Sequence, residues 1–204
     1  AESGRATVSL QFAAKAAAIA ALLDSVDPWD SGRLHLVRGR GLLEVGDAMA
    51  ALPALDEALK FFNEVDPRPA MLIRLTGVTK ARALIRSGRS HDGIKAVEAL
   101  WSDATRHLQN DSEELAETAN DRGLIFCAAG NPLEPAGWFE QARNLRRARA
   151  DATPDVVVGR YRQLASCFLF LGRHGEARSL LNEAINSLGP RIENTLARAT
   201  LLRL

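Results

Sequence analysis

Aromatic residues are scarce in this chain, at 5% of 204 residues. The core therefore has to be built from Leu, Ala, Val and Ile. Such a core favours helices packed closely through small side chains. Cysteine is scarcer still. Cys127 and Cys167 are the two present, and no C-x-x-C occurs. Two are too few for a disulfide framework in a chain of this length, and they are read as reduced core thiols of a cytoplasmic protein. No charge excess exists either: Lys+Arg number 26 and Asp+Glu 25. That balance gives no electrostatic reason to expect nucleic acid, an anionic membrane or a polyanionic substrate as partner. Long apolar runs are missing as well. The most apolar stretch, Phe12 to Leu23, contains Lys15 and is too short to span a bilayer. Its charge lies inside the run rather than before it, unlike a secretory signal.

What is present is ordinary for a folded protein: 47% hydrophobic and 25% charged residues. The Ala, Arg and Leu richness suits a GC-rich bacterial genome. The chain begins at Ala1 without Met and is read as a piece of a larger protein.

An internal repeat organises the sequence. Gly46, Gly88, Gly130 and Gly172 follow one another at a constant spacing of 42 residues. Each is preceded by a helical pattern ending in an apolar pair: Leu42-Leu43, Leu84-Ile85, Phe126-Cys127, Phe168-Leu169. Each is followed by a short polar stretch and a second helical pattern. Glycine suits a tight helix–helix turn, because the residue after a helix often adopts positive φ. Breaks at 66–69, 109–111, 151–155 and 189–190 carry Pro, Gly, Asn and Asp and read as loops. The predicted helices are 5–24, 31–45, 48–64, 69–87, 91–108, 112–129, 134–149, 155–171 and 174–188, with another from Arg191. No segment shows strand alternation.

This register resembles the tetratricopeptide repeat (TPR). Seven residues before the turn glycine stand Gly39, Ala81, Gly123 and Ala165, where the family has Gly or Ala. Four before it stand Leu42, Leu84, Phe126 and Phe168, where it has a large apolar residue. The family's Ala, large apolar and Ala positions at five, nine and twelve after are matched by Ala51, Leu55 and Ala58 in the first full repeat. Pro135 departs from the pattern, and Pro53 sits early in a second helix; each is expected to delay or bend its helix start. The repeat is also longer than the usual length of about 34 residues, similar to repeats of kinesin light chain and of bacterial regulators resembling the maltose activator. The resemblance implies an all-α, right-handed superhelix (an α-solenoid) of antiparallel helix pairs. It is expected to run over 1–204, with four full repeats at 32–189 and half repeats at both ends.

No motif for chemistry survives the repeat. Gly41 and Gly46 have phosphate-loop spacing, but Asp47-Ala48 follow in place of Lys-Ser/Thr and no strand precedes. His35, His91, His107 and His174 lack metal-ligand spacing. Arg143, Arg146, Arg147 and Arg149 give one helix a basic face without the interleaved aromatics of nucleic-acid binding. The expectation is therefore a non-enzyme with no catalytic residues, no cofactor and no metal, and with neither nucleic acid nor membrane as partner of this region.

One charge pattern recurs in phase. Arg38, Lys80 and Arg122 stand eight before the glycine; Asp56, Glu98 and Glu140 stand ten after it. Salt bridges are expected between Arg38 and Asp56, Lys80 and Glu98, and Arg122 and Glu140, or between the same positions one repeat apart.

The resemblance further implies a concave groove lined by first helices, with Arg33, Leu36, Arg40, Leu75, Val78, Arg82, Arg86, Asn120 and Arg162 facing a partner. Such a surface suits an acidic, partly apolar segment of another protein. The family's clamp for C-terminal carboxylates is not matched. A protein-interaction scaffold is thus the leading expectation. The alternatives are the sensing region of a bacterial transcription regulator or signalling ATPase, and the recognition arm of a protease or kinase.

Overall fold

A computed structural model describes residues 27–109, 112–130 and 154–187, with isolated helical positions at 8, 11, 14, 15 and 137. The described elements are all helices: α1 Pro28–Glu44, α2 Ala48–Glu64, α3 Ala70–Arg86, α4 Ser90–His107, α5 Glu113–Ala128, α6 Pro154–Phe170 and α7 His174–Ser187. Their bounds follow the sequence periodicity closely. The exception is α1, which starts earlier than expected because Asp27 caps it and Pro28 occupies its first turn. The expected segment 134–149, the helix from Arg191, Pro135 and the arginines at 143–149 lie outside the described residues, as does most of 5–24.

The turns explain why the helices stop where they do. Gly46, Gly88, Gly130 and Gly172 have φ of 92°, 81°, 76° and 73°. At three of them the same two closing bonds are seen. The glycine N–H donates to the carbonyl three residues back (Leu43, Ile85, Leu169), and the next N–H donates to the carbonyl five back (Leu42, Leu84, Phe168). Gly130 makes the first of these bonds, to Cys127. This is the Schellman closure, in which a left-handed residue lets the chain satisfy the last carbonyls of the helix. New helices then start on side-chain caps: Asp47 accepts from Ala50 N–H at 3.0 Å, and Ser112 accepts from Leu115 N–H at 3.2 Å. Pro53 does not delay α2, which begins at Ala48 and runs through it. Pro53 is exposed.

The chain forms two compact units, Ala1–Arg106 and His107–Leu204. In the first, α2 packs against both α1 and α3, and α1 also touches α3. The small residues of the register make this close approach possible. A Cβ on Gly39 would stand 2.6 Å from the Leu55 side chain, and one on Gly93 would stand 2.9 Å from the Ala81 carbonyl oxygen. Ala51, Leu55, Ala58, Phe62, Ala81 and Val97 are fully buried. Burying a side chain such as Leu55 or Phe62 contributes on the order of 1.5–3 kcal/mol. Arg68 secures the α2–α3 loop by donating to Asn63 Oδ1 at 2.7 Å and pairing with Asp103 at 2.9 Å.

In the second unit, α6 packs against both α5 and α7. Leu164, Ala165, Phe168 and Ala177 form one cluster of its core, with Leu124 of α5 against them. Here the cysteine expectation fails. Cys127 of α5 and Cys167 of α6 form a disulfide, with Cα atoms 5.9 Å apart. They stand three and five residues before their turn glycines. The repeat that sets α6 beside α5 therefore sets the two thiols together. Both are buried.

The charge pattern appears in its between-repeat form. Lys80 Nζ lies 2.6 Å from Asp56 of the preceding repeat. Glu140, the expected partner of Arg122, lies outside the described residues; Arg122 is buried, with its guanidinium 6.0 Å from the Phe126 ring centroid.

Two outcomes follow. Gly88→Ala should destabilise the chain by about 1–2 kcal/mol, the cost of a Cβ in the left-handed region; an added Cβ meets nothing within 4 Å there, so no clash contributes. Gly88→Asn should recover part of the loss, and equal urea midpoints for all three proteins would contradict the turn assignment. Thiol titration of the unreduced, denatured chain should find no free cysteine. Cys127→Ser with Cys167→Ser should then lower stability by about 2–4 kcal/mol.

Candidate partner-binding surface

With α2 packed against both α1 and α3, one arc of each first helix is left without a described helix over it within this unit. Residues 29, 33, 37, 40 and 44 of α1 fall within about a quarter-turn of one another at 3.6 residues per turn. All five are exposed: Trp29, Arg33, Val37, Arg40 and Glu44. The matching positions of α3 carry Met71, Leu75, Thr79, Arg82 and Arg86. Met71, Arg82 and Arg86 are exposed there, while Leu75 and Thr79 are half-buried.

The four arginines differ in their engagements. Arg33 faces Asp30 at 4.0 Å, both well exposed. Arg86 donates from Nη1 to the Leu43 carbonyl at 3.0 Å, so it caps the end of α1 from the next repeat. Arg40 and Arg82 have no ion-pair partner among the described residues. Their charge is available to a ligand.

Three expected surface residues are not on a surface. Leu36 and Val78 are each 5% exposed. They lie at the edge of the arc, turned toward the packed side, and serve the core instead of a partner. Trp29, Val37 and Met71, at 38%, 44% and 51% exposure, are the apolar side chains this arc presents. Asn120 is 4% exposed, and its Nδ2 donates to Gln163 Oε1 of α6 at 3.4 Å. It links α5 to α6 instead of facing outward. Arg162 is exposed on α6, in the second unit.

A cleft of about 410 Å³ lies elsewhere on the first unit, lined by Leu52, Asp56, Lys80, Leu84, Arg89, Asp92, Lys95 and Ala96. The sequence reading missed it, because no motif joins these residues. Its charges largely satisfy each other. Lys80 holds Asp56, and Arg89 Nε donates to Asp92 Oδ2 at 2.8 Å. That bond holds the Asp92 carboxyl below its ordinary value. The same pair type follows the fourth turn, where Arg173 bonds Glu176. The matching positions after Gly46 and Gly130 hold Asp47 with Ala50 and Asn131 with Glu134, so the pair belongs to two of the four turns.

Among the described residues, no group of three or more His, Cys, Asp or Glu is placed to hold a metal ion. No described helix is long and apolar enough to cross a membrane.

His35 stacks on Phe61 of α2 with ring centroids 5.7 Å apart, and its Nδ1 is buried without a hydrogen-bond partner. Desolvation, foremost, with the Arg38 charge holds its pKa below the ordinary 6.5, against an opposing pull from Glu57. The unfolded chain therefore takes up this proton more readily than the folded one. Stability from this site is complete above about pH 6.5 and declines as pH falls toward the folded value. Unfolding titrations at pH 7.5 and 5.5 should show a larger acid-induced loss for wild type than for His35→Gln. Equal losses would mean that His35 is not desolvated.

No protein-family model matches this chain, and no curated protein matches it. One solved structure that resembles it is that of BtubC (BKLC) from P. vanneervenii, at 16% identity and a TM-score of 0.44, covering 93% of this chain and 92% of that one. The helix-pair architecture of this chain rests on its own turns and packing.

Proposed function

We propose that this chain is a protein-interaction module of the TPR type. It binds an acidic, partly apolar segment of another protein through the exposed arc of α1 and α3, and it performs no catalysis. The observation that carries the reading is the pair Arg40 and Arg82. They occupy the same register position in successive repeats, exposed and without ion-pair partners among the described residues. Arg33 adds to the same field, and Trp29, Val37 and Met71 supply apolar area beside it. Cations on one surface steer acidic partners, while buried apolar anchors supply most of the affinity. The TPR assignment draws support from the four left-handed glycines at constant spacing and from the burial of the register's small residues. For the compartment, the disulfide favours an oxidising one over the cytoplasm expected from the sequence.

The test is titration of the chain with a labelled peptide rich in Asp and Leu, against a peptide with Lys replacing Asp. Wild type should bind the acidic peptide alone. Arg40→Glu with Arg82→Glu should weaken that binding by about tenfold or more at low salt, and less as salt rises. Unchanged affinity at low salt in a folded variant would place the binding surface elsewhere.

A further inference from the structure

The exposed arc has an internal order. Trp29 and Met71 both stand seventeen residues before their turn glycines, and Arg40 and Arg82 both stand six before theirs. Each pair thus forms a rung across two neighbouring first helices. The rungs are eleven residues apart, or about 16 Å along the helix at 1.5 Å per residue. Eleven residues also bring a helix back to nearly the same angle, so both rungs share one face. Trp29 is 38% and Met71 51% exposed, and both arginines are exposed.

The repeat itself does not need this order. In the third and fourth repeats the position seventeen before the glycine holds Glu113 and Asp155, and the position six before holds Leu124 and Ser166. Turns, register and core continue there without an apolar rung or a basic one. The parts of Trp29 and Met71 that stay in water, 38% and 51% of their surfaces, gain nothing from folding. A partner that covers them accounts for their presence.

Resting on the acidic-segment reading above, we infer that the partner segment is extended. It places an apolar side chain on the Trp29–Met71 rung and carboxylates on the Arg40–Arg82 rung about five residues away. An extended chain advances roughly 3.3 Å per residue, so five residues span the 16 Å between rungs. A helical segment would need eleven residues for the same span and would have to order twice as many. Asp30 engages Arg33 near the apolar rung. The paired carboxylates are therefore drawn to the other end, where Arg40 and Arg82 have no such partner among the described residues. That asymmetry gives the segment one register.

The experiment uses the whole chain and labelled synthetic peptides in a Ser/Gly background, read by fluorescence anisotropy. One peptide carries Leu-Leu and Asp-Asp five residues apart, a second two residues apart, and a third eleven apart. The five-residue peptide should bind about tenfold tighter than the two-residue one, since a misplaced anchor forfeits its burial. Met71→Ala should erase that preference, and Arg40→Glu with Arg82→Glu should weaken all three peptides. Both variants alter exposed side chains, and unchanged thermal midpoints will show that they fold. Equal affinity for the three spacings, with sensitivity to the arginine changes alone, would overturn the two-rung inference and leave the acidic-segment reading standing. Tightest binding of the eleven-residue peptide would overturn the extended conformation. No binding of any acidic peptide would overturn both readings together.

Discussion

The structure depends on one backbone constraint, a residue at positive φ closing each first helix. Only glycine adopts that region at no steric cost. At Gly46, Gly88 and Gly172 the chain uses it to form the same pair of closing hydrogen bonds. The closure fixes where one helix ends and the phase in which the next begins. Once phase is fixed, each side chain's direction is set by its distance from the glycine. Gly39 meets Leu55 and Gly93 meets the Ala81 carbonyl because both are held at set offsets from a turn. A turn with one more or one fewer residue would rotate the next helix by about 100° and point its small residues into solvent.

A constant spacing also makes residues about one repeat apart into neighbours, and several links exploit this. Arg86 reaches the Leu43 carbonyl, Asn120 reaches Gln163, and Cys127 joins Cys167. Their energetic weights differ greatly. The Lys80–Asp56 pair is partly exposed on both sides, and such pairs contribute about 0–1 kcal/mol. The disulfide closes a loop of 40 residues, for which loop-closure entropy gives about 4 kcal/mol at 25 °C. In the second unit, then, the α5–α6 junction has a covalent tie in addition to its apolar core. The first unit contains no cysteine. It relies on α2, with Leu55, Ala58 and Phe62 fully buried between neighbours.

Most of the fold was legible because two independent signals agreed, the helical period and the glycine interval. The failures have different origins, and for the cysteines it lies in treating residues by type instead of by register. Two cysteines counted as composition suggest free thiols. Placed in register, three and five residues before turn glycines in successive repeats, they fall on facing helices. Leu36 and Val78 were assigned to a surface by analogy. At ten residues before the glycine they lie only about 20° from the exposed Trp29 and Met71 direction, but toward the side on which each first helix meets its own second helix, Gly39 against Leu55 and Gly77 against Leu100, and that packing decides the matter. Asn120 was missed for another reason. Its burial depends on what surrounds α5 in the second unit, where Thr118, Asp121 and Arg122 are buried as well. No single-helix pattern reveals that a polar stretch is enclosed.

The two units also spend their polar residues differently, and this locates the functional reading. In the second unit, α5 encloses Thr118, Asn120, Asp121 and Arg122. Buried polar groups need internal partners, since leaving one unsatisfied costs about 1–3 kcal/mol. Asn120 meets this need through Gln163, and its side chain is committed to holding the unit together. In the first unit, Arg40 and Arg82 point outward from helices whose inner faces are packed by Leu36, Leu43, Val78 and Leu84. Long cationic side chains in water contribute little to stability, so their matched positions are not explained by folding. The position six before the glycine is free to vary in this repeat, as Leu124 and Ser166 show. Two arginines in succession there, one register step apart and in line with an exposed apolar residue, are the feature of the first unit on which the proposed recognition of an acidic segment rests.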